Sequence, residues 1–313
     1  MCYSAQITAS YYRFVRRFGA TLSLGDFVRI YWHRTQEAKL KIPRVMDAIF
    51  AEPATDEERE IKRQIDEHDA RLVVELEQEL FRQRKRLADA ERTLQTKTTK
   101  AATESQRIAS TKIERAMTKL QGLKSHTLSD EDARIFPGWY APVMVLDKGR
   151  RVIKPMRYQC RPEGKPASYD AKFPGTYNAR RDNLEGSFWK PLFGRKHGIL
   201  VVDAFFENVA REGSDGSKQN VVLEFRPRPR HEMLVACLWS CWAGPDGEEL
   251  LSFAAITDDP PSEVAAAGHD RCIVPIKEEQ LDSWLAPAGK PLSELYAILD
   301  DRDRPFYEHR LAA

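Results

Sequence analysis

The most regular pattern in the chain is a long polar stretch from about Thr55 to Ser125. Glu, Lys, Arg, Gln and Ala dominate it, proline is absent, and Phe81 is its only Phe, Tyr or Trp residue. An apolar side chain recurs there every seven positions, the spacing that keeps one stripe facing a partner helix. The stretch is therefore predicted to be helical. The repeating positions are Val73, Leu80, Leu87, Leu94, Ala101 and Ile108.

This helical stretch has several ways to bury its stripe. In a heptad, a second set of positions completes the apolar stripe, and here these companion positions are only partly apolar. A long parallel dimer would therefore be poorly sealed. A helical hairpin turning near TKTTKAATES, a helix laid against the globular body and a coiled-coil dimer all fit the pattern. A solvated insertion without chemistry is the simplest interpretation, and a protein partner or self-association through it is the alternative. The companion positions are Leu76, Gln83, Ala90, Lys97 and Glu104.

Short apolar runs broken by Pro and Gly follow Phe136-Pro137-Gly138. Such runs at short spacing favour an antiparallel sheet that closes into a barrel or sandwich. The predicted strands are APVMVL (141–146), RRVIKPMRYQ (150–159), GILVVDAFFENV (198–209), NVVLEF (220–225), EMLVACLWSCW (232–242), LLSFAAIT (250–257) and RCIVPI (271–276).

The predicted fold class is therefore α+β, with a mainly antiparallel β barrel or sandwich-like body, flanking helices and a long charged helical insertion. Within the N-terminal part, a helix is expected from about Leu24 to His33. We expect three parts: an N-terminal part over 1–35, the helical insertion over 36–135, and the β-rich body over 136–313.

Composition narrows the class of protein. The chain has 313 residues, 42% hydrophobic and 31% charged, which is globular composition. No apolar run is long enough to span a membrane and no signal-like start is present, so we expect a cytoplasmic protein without a membrane partner. The net charge of +2 implies that any DNA-binding surface is a local patch.

The cysteines are expected as thiols because the five of them lack paired spacing. His231, Cys237 and Cys241 are too scattered for a structural zinc site and fall in a strand-like run. We therefore expect no metal and no other cofactor.

Cys2 has distinctive chemistry once Met1 is removed, because it then carries an α-amine and a thiol on adjacent carbons. These groups titrate near about 8 and about 8.5, so both are partly deprotonated near neutral pH. With an aldehyde they form first an imine and then a thiazolidine ring. A cysteine at position 2 can equally be incidental.

Three segments place polar residues in otherwise strand-like sequence: YNARRDN at 177–183, VVDAFFEN at 201–208 and GHDRCIVPI at 268–276. Each has an ordinary structural interpretation. Asn178 fits a turn or cap, Glu207 fits a strand end, and His269 fits a loop.

Taken in order, these segments resemble the SRAP family, the SOS response-associated peptidases or abasic-site processing proteins. No single motif is specific, but five occur in the family's order. The resemblance covers residues 1 to about 20 and 140 to 290. The matching segments are Met1-Cys2, Asn178-Ala179-Arg180, Asp203-Ala204-Phe205-Phe206-Glu207, Leu238-Trp239 and His269-Asp270-Arg271.

The resemblance implies that Cys2 captures abasic sites in single-stranded DNA as a covalent crosslink, within the DNA damage (SOS) response. Glu207 would orient the α-amine and move protons. His269 would assist opening of the sugar, and Asn178 would hold the N-terminus or the deoxyribose. The protein would associate with the nucleoid when bound to DNA.

The resemblance also implies a DNA-binding surface. Arg180 and Arg271 match positions that meet backbone phosphates, and Arg157 and Lys190 are further candidates. Two aromatic residues are either platforms for unpaired bases or part of the core; these are Tyr158 and Trp189.

Several departures from the family pattern affect this DNA-binding surface. The family has Gly-Arg after Met-Cys, so the phosphate contact of that arginine is missing here or supplied elsewhere. The departures are Tyr3-Ser4, Tyr158-Gln159, Ala204 and Asn208.

Two other function classes stay open. An autocatalytic or general thiol peptidase would use the same N-terminal nucleophile. A non-catalytic DNA- or protein-binding module would keep its binding after Cys2→Ala.

Overall fold

The computed structural model describes residues 3–8, 11–37, 40–125, 127–212, 218–245 and 247–312. Cys2 therefore lies outside the described residues. The strands are β1 Ser4–Ile7, β2 Thr21–Leu22, β3 Arg134–Ile135, β4 Tyr140–Asp147, β5 Arg150–Tyr158, β6 Asn178–Arg180, β7 His197–Glu212, β8 Lys218–Arg228, β9 Met233–Ala243, β10 Glu249–Asp258, β11 Cys272–Ile273, β12 Pro275–Ile276 and β13 Phe306–Leu311.

Helices lie before, between and after these strands in the sequence. They are α1 Tyr11–Phe18, α2 Leu24–Gln36, α3 Arg44–Asp47, α4 Asp56–Thr96, α5 Lys100–Lys124, α6 Tyr169–Lys172, α7 Ser262–Ala266, α8 Leu281–Leu285 and α9 Leu292–Asp300. Single 3₁₀ turns lie at Ala48–Phe50, Asp130–Ala133, Arg181–Asn183 and Glu278–Gln280. In the described ranges, no helix is both long enough and apolar enough to cross a membrane.

Five strands close into a ring, which makes the body a barrel. β7 pairs with β9, β9 with β10, β10 with β5, β5 with β4, and β4 again with β7. All of these pairs are antiparallel except β10 with β5. The predicted α+β class with a mainly antiparallel barrel is confirmed, and each of the seven apolar runs contains strand.

The tightest turn of the barrel joins β4 to β5 through two residues. Asp147 pairs with Arg150, and both residues between them have positive φ, 49° at Lys148 and 76° at Gly149. Two positive φ angles in a two-residue loop match the twist of the strands on either side. The turn fixes the register of this hairpin.

The polar stretch folds as a helical hairpin. Its first helix, α4, begins with a capping box in which the Glu58 N–H donates to Thr55 Oγ1 at 3.2 Å and the Thr55 N–H donates to Glu58 Oε2 at 3.2 Å. α4 ends at Thr96 and α5 begins at Lys100, with the Thr99 hydroxyl accepting from the Ala102 N–H. The turn thus lies within the predicted TKTTKAATES segment.

The hairpin is sealed by small residues. α5 buries an alanine at every seventh position against α4, and α4 buries Gln83 and Ala90. At the root of α4, Ile61 and Ile65 join the core of the body. The predicted stripe is one residue out of phase in α5, where Ala101 is exposed, because the extended residues between the helices reset the heptad. The buried alanines are Ala102, Ala109 and Ala116.

His197 connects the start of β7 to helix α8. Its Nε2 accepts from the Gly194 N–H at 2.9 Å, so Nδ1 donates to the Trp284 carbonyl at 3.0 Å. The Trp284 indole N–H in turn donates to the Gly198 carbonyl at 3.0 Å. Burial lowers the pKa of His197 to about 3.

Substituting Ala109 by leucine is expected to destabilise the hairpin, because Ala109 has no exposed surface at the seam. Overpacking of this kind costs about 1–3 kcal/mol. Urea unfolding followed by circular dichroism measures the change. Ala101→Leu, on the exposed face of the same helix, is the matched control and should change stability by less than about 0.5 kcal/mol. Equal effects of the two would contradict the seam.

Stability is expected to fall as pH drops below 6.5 because of His197. The unfolded chain takes up a proton near 6.5, whereas the folded chain resists it down to about 3. This group therefore contributes full stability above 6.5 and loses roughly 1 kcal/mol for each pH unit below that value. The test compares unfolding free energies at pH 7 and pH 5 for wild type and His197→Gln. A loss that is the same in both proteins would assign it to other groups.

Candidate functional site

Glu207 lies in the middle of the sheet with no exposed surface. Its strand β7 is paired on one side with β1, where Ser4 faces Phe206, and on the other with β8, where Glu207 faces Leu223. Side chains alternate along a strand, so Phe205, Glu207 and Val209 point to the same face. The phenylalanine and valine make this face apolar around the carboxylate.

The backbone at Gly268 approaches β7 closely, and this brings His269 over that face. Gly268 precedes it with φ of +98°, and a Cβ added to Gly268 would lie 2.8 Å from Val209 Cγ1. Glycine is therefore required on both conformational and steric grounds. The approach places His269 Nε2 at 3.1 Å from Glu207 Oε2.

The other ring nitrogen of His269 faces the backbone of Arg271. Nδ1 lies 2.9 Å from the Arg271 carbonyl oxygen and 3.3 Å from the Arg271 amide nitrogen. The shorter contact favours a proton on Nδ1, since a carbonyl oxygen can only accept. Burial lowers the pKa of His269, and the Arg271 carbonyl opposes that shift.

His269 Nε2 and Glu207 Oε2 lie 3.1 Å apart, close enough for a proton to pass between them. If Nδ1 carries the ring proton, Nε2 is an unprotonated acceptor that faces the carboxylate. If Nδ1 accepts from the Arg271 amide, Nε2 carries the proton and donates it to the carboxylate. The pair is thus a buried acid–base unit, able to give a proton at one atom and to take one at the other.

Asn178 lies on a neighbouring short strand. β6 runs parallel to β10, with Asn178 opposite Ala255 and Arg180 opposite Thr257. Thr257 also pairs with Ile273 of β11, so the Asn178 and His269 segments flank the same end of β10. Asn178 is buried, and its Oδ1 lies 3.4 Å from the Tyr158 hydroxyl.

The two predicted phosphate-binding arginines share one carboxylate. Arg180 Nε donates to Asp182 Oδ1 at 3.0 Å, and Arg271 Nη2 lies 3.8 Å from Asp182 Oδ2. Arg271 also meets Asp259 at 3.3 Å. Arg180 holds the pKa of Asp182 below its usual range. A phosphate at this point would exchange with the Asp182 carboxylate.

The remaining predicted DNA contacts are not gathered at this site. Arg157 pairs with Asp170 at 2.7 Å beneath the surface, and Lys190 is exposed. Tyr158 and Trp189 are 1% and 5% exposed. Both aromatics therefore lie in the core, the second of the two positions that the sequence allowed.

Sequence reasoning did not single out Arg134. From β3 its Nε and Nη2 each lie 3.1 Å from the buried Ser4 Oγ, and its guanidinium stacks 3.8 Å above the Phe206 ring. An arginine ahead of the first predicted strand carries no distinctive sequence signal. Its position emerges only when β1, β3 and β7 are side by side.

Comparisons with known proteins identify the family. Residues 89–310 match the profile of the SRAP family, SOS response associated peptidase. No curated protein matches the chain.

The solved structures to which the chain is similar include one from Bacteroides thetaiotaomicron, at 19% identity and a TM-score of 0.48, covering 58% of this chain and 78% of that one. Another, from Bordetella bronchiseptica, has 18% identity and a TM-score of 0.48, covering 60% and 90%. A phage-related protein from the same organism has 19% identity and a TM-score of 0.44, covering 61% and 85%. Since the family profile covers well over half of the sequence, the chain belongs to the SRAP family, the SOS response associated peptidases.

Proposed function

We propose that this protein captures abasic sites in single-stranded DNA covalently through Cys2, after loss of Met1. The observation that carries the proposal is the buried Glu207–His269 pair, whose Oε2 and Nε2 atoms lie 3.1 Å apart. Glu207 follows Phe206, which pairs with Ser4 across β1 and β7. Cys2 is two residues before Ser4 in the sequence, and two residues span at most about 7 Å. The chain therefore limits how far the N-terminal amine and thiol can lie from β7.

The reaction moves protons at the sugar oxygens and at the amine nitrogen, and it needs no redox partner. His269 gives a proton to the sugar ring oxygen while Glu207 takes the proton of the anomeric hydroxyl, and the deoxyribose opens to its aldehyde; that proton then returns from Glu207 to His269. The α-amine attacks the aldehyde carbon, Glu207 moves the two nitrogen protons to the former aldehyde oxygen, and that oxygen leaves as water to give an imine. The thiolate adds to the imine carbon and the nitrogen regains a proton. The product is a thiazolidine and one water is lost in all.

The burial of the pair suits this chemistry. A general acid or base works best when its pKa lies near the working pH, and a carboxylate that shares a proton with an imidazole can both accept and return one. The neutral amide of Asn178 would position the deoxyribose or the N-terminus without ionising. Arg180 and Arg271 would bind backbone phosphates by displacing their present carboxylates.

Covalent capture is tested by incubating purified protein with single-stranded DNA that carries one abasic site. A heat-stable adduct is expected on denaturing gels, with an intact mass equal to protein without Met1 plus DNA less one water. Cys2→Ala should abolish it, whereas Cys241→Ala, which removes another partly accessible thiol, should not. Undamaged DNA is the substrate control.

Two outcomes would contradict capture through Cys2. An adduct that persists in Cys2→Ala would assign the chemistry to another residue. No adduct from wild type, with Met1 shown to be absent, would reject the proposal. Peptide turnover blocked by thiol reagents would then favour a peptidase, and DNA binding that survives Cys2→Ala would favour a binding module.

The proton-transfer pair is tested by Glu207→Gln and His269→Gln. Each is expected to slow adduct formation by about 10²–10⁴-fold, the range for loss of a general acid or base. Because burial lowers the pKa of His269, the rate ratio of wild type to His269→Gln should be constant above pH 6.5. The ratio should fall only once the pH drops below the lowered pKa of His269, where the protonated imidazole holds the Glu207 carboxylate in an ion pair and opposes its uptake of a proton. A ratio that does not depend on pH would assign His269 a purely structural role.

A further inference from the structure

The guanidinium of Arg134 is held in a fixed orientation at the start of β1. β3 pairs with β1, which pairs in turn with β7, so Arg134 reaches Ser4 on one strand and Phe206 on the next. Two of its nitrogens lie 3.1 Å from Ser4 Oγ, and its Cζ lies 3.8 Å from the centroid of the Phe206 ring and 4.9 Å from that of the Phe136 ring. These contacts orient the group without neutralising it.

Arg134 differs from the arginines around it in its electrostatic partners. Across the parts of the chain that the structure describes, no carboxylate lies within 4.0 Å of its guanidinium, whereas three nearby arginines each have one. The three pairs are Arg226 with Asp130 at 3.1 Å, Arg310 with Glu224 at 2.8 Å and Arg44 with Asp132 at 3.3 Å. A half-buried cation without a carboxylate is ready to bind an anion.

The remaining hydrogen-bond donors of Arg134 fit a phosphate. A guanidinium has five N–H groups, and the contacts to Ser4 Oγ use Nε and one N–H of Nη2. A second Nη2 proton and the two of Nη1 form the fork that meets two phosphate oxygens at once. Burial lowers the pKa of Arg134, but a guanidinium stays charged in a protein.

We infer that Arg134 binds the DNA phosphate next to the captured sugar, an inference that rests on the proposed function. Ser4 is two residues after Cys2 in the sequence, a span of at most about 7 Å, so an anion on Arg134 would lie near a sugar bound at Cys2. The arginine that the family places at position 4 is a serine here, and Arg134 brings a guanidinium from β3 to that serine. The phosphate contact therefore comes from a different element of the fold.

The experiment combines protein variants with single methylphosphonate linkages, which remove the charge of one phosphate. Binding is measured on DNA with a tetrahydrofuran abasic analogue, which has no aldehyde and cannot crosslink. Arg134→Gln is expected to weaken binding about tenfold and to reduce the slope of log affinity against log salt by about 0.7. For wild type, a methylphosphonate at one linkage beside the lesion should give the same loss. Arg134→Gln should be insensitive to that modification.

Arg150→Gln is the matched control. Arg150 is an exposed arginine at the turn that ends β4, and β4 pairs there with the start of β7. Gly198 and Glu207 are nine residues apart along β7, or about 30 Å. This variant should leave both the affinity and the methylphosphonate effect unchanged.

The results separate the inference from the proposed function. If methylphosphonates at each linkage weaken wild type and Arg134→Gln equally, the phosphate role of Arg134 is overturned even when wild type forms adducts. A second outcome is that one methylphosphonate weakens wild type but not Arg134→Gln, while DNA with a true abasic site gives no adduct. In that case the phosphate site stands and covalent capture fails. Thermal unfolding checks that Arg134→Gln folds. Arg134→Lys, which keeps the charge without the fork, takes its place if it does not, with a smaller loss expected.

Discussion

The structure depends most on a carboxylate buried in a sheet. An ionised Glu207 with no exposed surface would cost several kcal/mol unless a partner offset its desolvation. His269 meets it at 3.1 Å, and that contact requires the chain before His269 to approach β7 more closely than any side chain would allow. Gly268 makes the approach possible. These three features therefore depend on one another: Gly268 allows the close approach, the approach positions the His269 imidazole, and the imidazole offsets the burial of the Glu207 carboxylate.

β7 is the strand that gathers the site from distant parts of the sequence. It pairs with β1, β4, β8 and β9. It is therefore a strand of the barrel and also the strand to which the N-terminal strand β1 is hydrogen-bonded. One of its faces carries Glu207 towards His269, and the other carries Phe206 towards Arg134. The alternation of side chains along a strand thus places the proposed proton-transfer residue and the proposed anion site on opposite faces, one residue apart.

The barrel could be predicted because its strands are buried and leave apolar runs in the sequence. Short strands such as β6 and β13 leave no such signal: along Phe306–Leu311 only Tyr307 is buried, and pairing is made by backbone groups. The predicted seven-residue repeat runs on through the turn of the hairpin and is therefore one residue out of register in α5. Periodicity alone does not show where a helix stops. Glu207 and His269 could be named from the order of the motifs, whereas Arg134 could not, since its role comes from a β1–β3 pairing absent from any local pattern.

The hairpin is long and narrowly attached. At 41 residues α4 extends about 60 Å, and its buried residues beyond the first turns, Gln83 and Ala90, lie on the part of the helix that runs beside α5. The chain leaves the hairpin through a short connection to Arg134, and Arg44 grips both ends of it, at the Ser125 carbonyl and at Asp132. Arg44 therefore holds together the two ends of the segment that leads from α5 into β3. The position of Arg134, the first residue of β3, thus depends on a part of the chain that precedes the hairpin.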